Sequence, residues 1–178
     1  MDGKMKREEN VAVALKYIIP FLKKYNFKGC ISGGFACYLY GVNRPVDEIH
    51  IDIELDKDDK KFKSFIEDVK EFTTYSFQYY KDKNYDHYVM EITVNDFILS
   101  ICTTKNLKMF NKHGKSDLFY KKGIPKSDIV LFRGLQLPLL SKEKVIEMKD
   151  ALAVKKEIDI KDISEMRKIL NFAQQRDC

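Results

Sequence analysis

The sequence predicts an α+β fold: a small mixed, twisted sheet with helices packed on it, followed by a helical C-terminal part. Three observations carry this. Residues 48–55 alternate strictly, with Glu48, His50, Asp52 and Glu54 on one parity and Ile49, Ile51, Ile53 and Leu55 on the other, the period of a two-faced strand. Apolar residues recur at helical spacing both before and after that strand. Beyond residue 140 only helical spacing remains. We place a sheet-bearing domain at 1–135 and a C-terminal helical segment packed on it at 136–178.

Residues 7–25 set Val11, Leu15, Ile18, Ile19 and Leu22 on one helical face with lysines opposite. Pro20 should kink or end that helix, because it removes a backbone donor. A strand is expected over Phe27–Ser32, then a Gly33-Gly34 turn into a helix over about 35–41, with Gly41 and Asn43 suited to stop it. After the 47–55 strand, an aspartate among Asp56, Asp58 and Asp59 can cap a helix carrying Phe62, Phe65, Ile66 and Val69. Tyr75–Tyr80 reads as a strand. His87–Val94 and Phe97–Thr103 read as a hairpin turning at Asn95-Asp96. The basic stretch 104–127 reads as a long loop with room for a short helix. Ile129–Phe132 is a short strand, Ser141 the N-cap of a helix, and a last helix begins near Asp159.

The 178 residues are 44% hydrophobic and 12% aromatic, enough for a core and against disorder. No run approaches the roughly eighteen apolar residues of a membrane helix, and the charged N-terminus is followed by no signal-like apolar stretch. The expectation is a soluble cytoplasmic protein with no membrane partner. Cys30, Cys37, Cys102 and Cys178 show no zinc-like pairing and read as free, mostly buried thiols. A net charge of +5 permits a polyanionic partner without requiring one. The lysines of 105–126 read as a solvated loop, or, with Phe110, Phe119 and Tyr120 interleaved, as a phosphate- or nucleic-acid-contacting one. His87 and His113 read as surface residues.

Two readings of Ile31–Glu54 stand side by side. Adjacent glycines entering a helix are ordinary turn chemistry, or they admit a phosphate to backbone N–H groups. The ionisable parity of 48–54 is a solvated strand face, or a set of oxygen ligands for a hard divalent cation. His50, flanked by Glu48 and Asp52, is a salt-bridged histidine, or a group for metal or proton-transfer work.

The segment SGGFACYLYGVNRPVDEIHIDIE resembles the nucleotidyltransferase superfamily with a DNA polymerase β-like palm, especially its small prokaryotic members. These carry Gly-Gly or Gly-Ser, a short helix ending in Gly-x-x-Arg, then an Asp-x-Asp strand. The C-terminal stretch supports the likeness with Lys149 and the pattern Lys156, Asp159, Asp162, Ile163. The resemblance covers roughly 10–55 and 135–172. It implies transfer of a nucleoside monophosphate from an NTP, with Mg²⁺ or Mn²⁺, to an acceptor that is a small molecule, a nucleic acid or a protein; it leaves the oligomeric state open. It places Ser32, Gly33, Gly34, Arg44 and Lys149 at the nucleotide, Glu48, His50 and Asp52 in catalysis, and Glu48 and Asp52 at the metal.

The family's Asp-x-Asp falls here on Glu48 and His50, and imidazole is a poor magnesium ligand. Asp52 and Glu54 form a second pair about 13 Å further on for four strand residues. The family's third acid falls on Ser100, with Glu91 on the partner strand as a substitute. The alternative is therefore a catalytically degenerate member, serving as a nucleotide-, nucleic-acid- or protein-binding module.

Overall fold

In the computed structural model, which describes residues 2–70, 74–95, 97–111 and 113–174, the alternating stretch forms strand β2, Glu48–Ile53. Its Ile49, Ile51 and Ile53 are buried in one core with Phe62, Phe65, Leu99, Ile101, Met90 and Ile92. That burial fixes the register, since a slip of one residue would turn Glu48 and His50 toward the isoleucine core,. Strand β1 (Gly29–Ser32) runs antiparallel to β2 on one side, and β5 (Phe97–Thr103) runs parallel to it on the other. Beyond β5 lie β4 (Tyr85–Val94) and β3 (Thr74–Lys81), both antiparallel to their neighbours. On the far side, β9 (Leu135–Leu139) pairs in parallel with β1, and β8 (Asp128–Phe132) pairs with β9.

Helix α1 (Asp2–Lys24) buries Val11, Leu15 and Ile18. It starts earlier than the spacing predicts and continues past Pro20 to Lys24. Pro20 and Lys16 both face solvent, so water can satisfy the Lys16 carbonyl that the proline leaves without a donor. Gly33-Gly34 are the first residues of α2 (Gly33–Leu39), and Gly33 has φ +62. Helix α3 (Lys60–Lys70) buries Phe62, Phe65 and Val69. The β4–β5 connection has Asn95 at φ +49, while Asp96 lies outside the described residues. Helix α4 (Lys142–Ala151) is capped by the Ser141 hydroxyl, which accepts from the Lys144 N–H. Helix α5 (Glu157–Gln174) follows, and α2, α4 and α5 pack on one another.

Two expectations about the later chain are corrected. The basic stretch is not one long loop: it contains the hairpin β6 (Lys108–Phe110) and β7 (Ser116–Leu118), which β4 anchors through Tyr85 and Asp86. Asn111 accepts from the His113 and Lys115 backbone N–H groups and so shapes its turn. Residues 135–139, predicted as no strand, form β9, because Arg133 and Gly134 both take positive φ and fold it back on β8, the turn geometry suited to a two-residue hairpin. Cys30, Cys37 and Cys102 are free and buried; Cys178 lies outside the described residues. No described helix is long and apolar enough to cross a membrane.

Candidate functional site

The strand registers bring one row of side chains together across the sheet: Ser32 beside His50, His50 beside Ser100, and Ser100 beside Glu91. Cross-strand partners share a face, so these four groups lie on the side of β2 opposite the isoleucines. Within the row, His50 Nε2 lies 2.8 Å from Glu48 Oε1. The pair is half-open to solvent, with the His50 side chain 37% and the Glu48 side chain 49% exposed. The hydrogen bond from His50 holds the Glu48 carboxyl below its ordinary pKa. Burial pulls the His50 ring down, but the Glu48 hydrogen bond and the charges of Glu48 and Asp52 outweigh it, so its pKa is raised.

The other side of the His50 ring lies on the glycine turn. A Cβ on Gly33 would stand 3.5 Å from His50 Cγ and 3.8 Å from Nδ1. A Cβ on Gly34 would meet the Arg44 guanidinium at 2.4 Å, so only glycine lets Arg44 close over the turn. Ser32, Gly33, Gly34, Arg44 and His50 are thus brought to one place.

Asp52 is one strand pair further in, between Cys30 and Cys102, and is 4% exposed. The Tyr120 phenol donates to its Oδ2. Burial raises the Asp52 pKa, more than the hydrogen bonds from Tyr120 and Ser32 lower it. Asp52 is therefore turned into the interior and committed to Tyr120. Glu54 points elsewhere again, pairing with Lys28 at 2.7 Å and accepting from the Ile124 N–H at 3.1 Å.

Lys149 sits in a second constellation. Its Nζ lies 2.7 Å from Asp159 Oδ1 and 2.9 Å from Asp162 Oδ2, and Arg44 Nη1 pairs with the same Asp162 oxygen. All four are largely buried, Asp162 completely. Burial opposes the charge on Lys149, but its two carboxylate partners prevail and raise its pKa. Burial likewise raises Asp159, and Lys149 overcomes this to lower it. Asp162 Oδ1 has no hydrogen-bond partner.

Sequence reasoning missed two residues. His87, expected at the surface, is 9% exposed, with Nδ1 unpartnered and Tyr80 and Tyr85 packed around the ring. Its parity on β4 is that of Glu91, so it belongs to the same face, and the alternation of Tyr85, His87, Val89 and Glu91 was the available signal. Tyr120 was visible only as an aromatic among lysines. His113 is exposed, as expected.

The donor set does not fit the two magnesium ions that the fold family implies. Hard cations take oxygen ligands, and in this row His50 occupies one position and Ser100 another. Glu48 is tied to His50, and Asp52 is buried against Tyr120. Among the described residues, no group of three His, Cys, Asp or Glu side chains is placed to hold a metal ion.

No family model and no curated protein matches the chain in sequence. Solved structures do resemble it. The Thermotoga maritima protein TM1012, described as a candidate nucleotidyltransferase, superposes with a TM-score of 0.58 at 14% identity, covering 91% of each chain. The lincosamide antibiotic adenylyltransferase LnuA, solved with lincomycin, gives 0.55 at 16% identity over 87% of this chain and 95% of its own. ANT(2'')-Ia, solved with adenylyl-2''-tobramycin, gives 0.51 at 14% identity over 94% of this chain and 99% of its own. The chain has a nucleotidyltransferase-like fold, with Glu48-x-His50 on the strand beside its glycine turn.

Proposed function

We propose that this chain binds a nucleoside triphosphate on the Ser32–His50–Ser100 face, with its phosphates at the Gly33-Gly34 turn. The observation that carries the reading is the approach of the His50 ring to the glycine turn, 3.5 Å from where a Gly33 Cβ would stand, within a nucleotidyltransferase-like fold. It joins a turn with no side chain of its own to an imidazole and, through Arg44, to a guanidinium, groups suited to an anion. Arg44 stands beside the turn. Lys149 serves the site from behind, by sharing Asp162 with Arg44. Three buried free thiols fit a reducing compartment, and we place the protein in the cytoplasm.

A second reading is nucleotidyl transfer to an acceptor hydroxyl. The likeness to LnuA and ANT(2'')-Ia, whose structures hold lincomycin and an adenylylated tobramycin, favours it and favours a small-molecule acceptor. The acceptor oxygen would bond to the α-phosphorus, the bond to the β-phosphate's bridging oxygen would break, pyrophosphate would leave, and the hydroxyl proton would pass to solvent. Glu48 and Glu91 are the carboxylates left on this face for a cation, Asp52 being turned inward. Because they do not make the expected metal site, we rank transfer behind binding. Titrating the protein with each of the four NTPs should reveal saturable binding of at least one. Pyrophosphate release in Mg²⁺ or Mn²⁺ would establish transfer; no binding of any NTP in either metal or in its absence would overturn the proposal.

A further inference from the structure

The sheet ends at β8 with an edge left open. Ile129 and Leu131 are 64% and 72% exposed, and beside the strand runs an open groove of about 440 Å³ that reaches Tyr38 and Gly41 at the end of α2. Across the Arg133-Gly134 turn, Phe132 faces Leu135, Val130 faces Leu137 and Asp128 faces Leu139. In a two-residue hairpin the pair flanking the turn is hydrogen-bonded, and bonded pairs alternate from there. Phe132, Val130 and Asp128 therefore direct their backbone groups to β9, while Ile129 and Leu131 turn theirs outward. Pro138, which has no N–H to give, stands opposite Ile129, in agreement with that alternation,. Among the described residues, none bonds to the outward groups of Ile129 or Leu131. Free edges are commonly guarded by a lysine, a proline or a bulge. After Asp128 the strand reads Ile-Val-Leu-Phe in unbroken register, with none of these.

We propose that β8 docks the β8 of a second copy of this chain, paired antiparallel about Val130. In that register Ile129 lies opposite Leu131 of the second copy, and their outward N–H and C=O groups meet as bonded pairs. Val130 meets its own counterpart on the two-fold axis as an unbonded pair. Opposite residues share a face, so the exposed isoleucines and leucines of the two copies cover one another. Charge selects this occupant and this direction. Asp128 opens the strand and Arg133 follows it, and Tyr40 and Glu8 hold the two groups at the strand ends. Antiparallel self-pairing carries each acid toward the base of the other copy, whereas parallel pairing would set Asp128 against Asp128. A five-residue edge falls short of the roughly 1,600 Å² of a standard interface, so the dimer should be weak, and the two-fold closes it against further growth. Strands β9 and β1 separate β8 from β2, so the contact leaves the nucleotide row untouched.

Sedimentation of the full chain from about 1 μM to about 1 mM, the range of a small interface, should show a monomer–dimer equilibrium. Ile129→Lys and Leu131→Lys, each placing a charge at an exposed edge position, should weaken it by about tenfold or more. The far-UV spectrum and the urea midpoint of either variant, measured at low concentration, should match the wild type. Cysteine substitutions in a Cys178→Ser background read the register. Val130→Cys should oxidise to a linked dimer, because its counterpart stands within bridging distance on the axis. Ile129→Cys, offset from its counterpart along the strands, should not. A monomer at every concentration overturns the proposal. So does a dimer that survives Leu131→Lys, or one that Ile129→Cys links as readily as Val130→Cys. The lysine variants should bind nucleotide as the wild type does, so this proposal and the nucleotide-binding reading fail independently.

Discussion

Two groups of charged residues approach the Gly33-Gly34 turn, and they are built in opposite ways. The Arg44–Asp162–Lys149–Asp159 cluster is buried, with every cation matched by a carboxylate from α5 and only Asp162 Oδ1 of these ion-paired carboxylates without a hydrogen-bond partner. The Glu48–His50 pair is half-exposed and paired only with itself, and its row runs on into buried Ser100 and half-buried Glu91. Both are read from the sequence as nucleotide-handling. The difference teaches that charge type and spacing do not separate a ligand site from a brace; burial with charge pairing does. Buried charges must be paired to be tolerated at all, whereas a half-exposed row can afford to leave groups for a ligand.

Removing the shared carboxylate is the most forceful way to break that contrast. Asp162→Ala would leave Arg44 without its carboxylate and Lys149 with only Asp159. The loss expected when one member of a buried ion pair is removed is about 3–5 kcal/mol, read as a lowered urea midpoint. Arg44 should then loosen over Gly34, weakening ATP binding as well. A stability change below about 1 kcal/mol, the range of exposed pairs, would mean that the cluster is no brace and that its cations are free for a ligand.

A change of pH tests His87, the buried histidine on the same face of the sheet. Burial, together with the charge of His50, pushes the His87 pKa down to about 4, against the opposing pull of Asp82 and Asp86. In the unfolded chain a histidine titrates near about 6.5. Between those values the unfolded state binds the extra proton, so acid favours unfolding. The contribution of neutral His87 is fully present above the unfolded pKa and is lost as pH falls toward 4. Lowering the pH from neutral to about 4.5 should cost about 2 kcal/mol from this residue. Urea denaturation at the two pH values measures it, and His87→Gln should flatten the dependence by that amount. An unchanged slope in the variant would show that His87 is not held neutral.

Where the chain was legible, local pattern and tertiary demand agreed. The 48–55 alternation fixes β2 because its isoleucines enter the core, and Ser141 caps α4 through its own third following N–H. Where legibility failed, the deciding partner was distant in sequence. Asp52 shares parity with Glu48 and His50 but is committed to Tyr120, 68 residues away. Arg44 and Asp162 are 118 residues apart, so the brace could be suspected from the C-terminal Lys-Asp-Asp pattern but not closed. Strand β9 contains Pro138, which argues against a strand locally. The Arg133-Gly134 turn and pairing with β8 outweigh that preference. Strands β6 and β7 have three residues each, too few for a period to show.

The smallest expected effect is the most discriminating for the row. Glu48 is half-exposed and bonded to His50, so Glu48→Gln removes one open ion pair while keeping an oxygen acceptor for the ring. Such pairs contribute about 0–1 kcal/mol, and the urea midpoint should move by no more than that. The depressed pKa of Glu48 fixes the sign: its contribution is present above the unfolded carboxyl range and is lost as pH falls through the lower folded value,. The wild-type and Glu48→Gln midpoints should therefore converge in acid. A loss above about 2 kcal/mol at neutral pH would place Glu48 among the braces with Asp162 and remove the contrast between the two constellations.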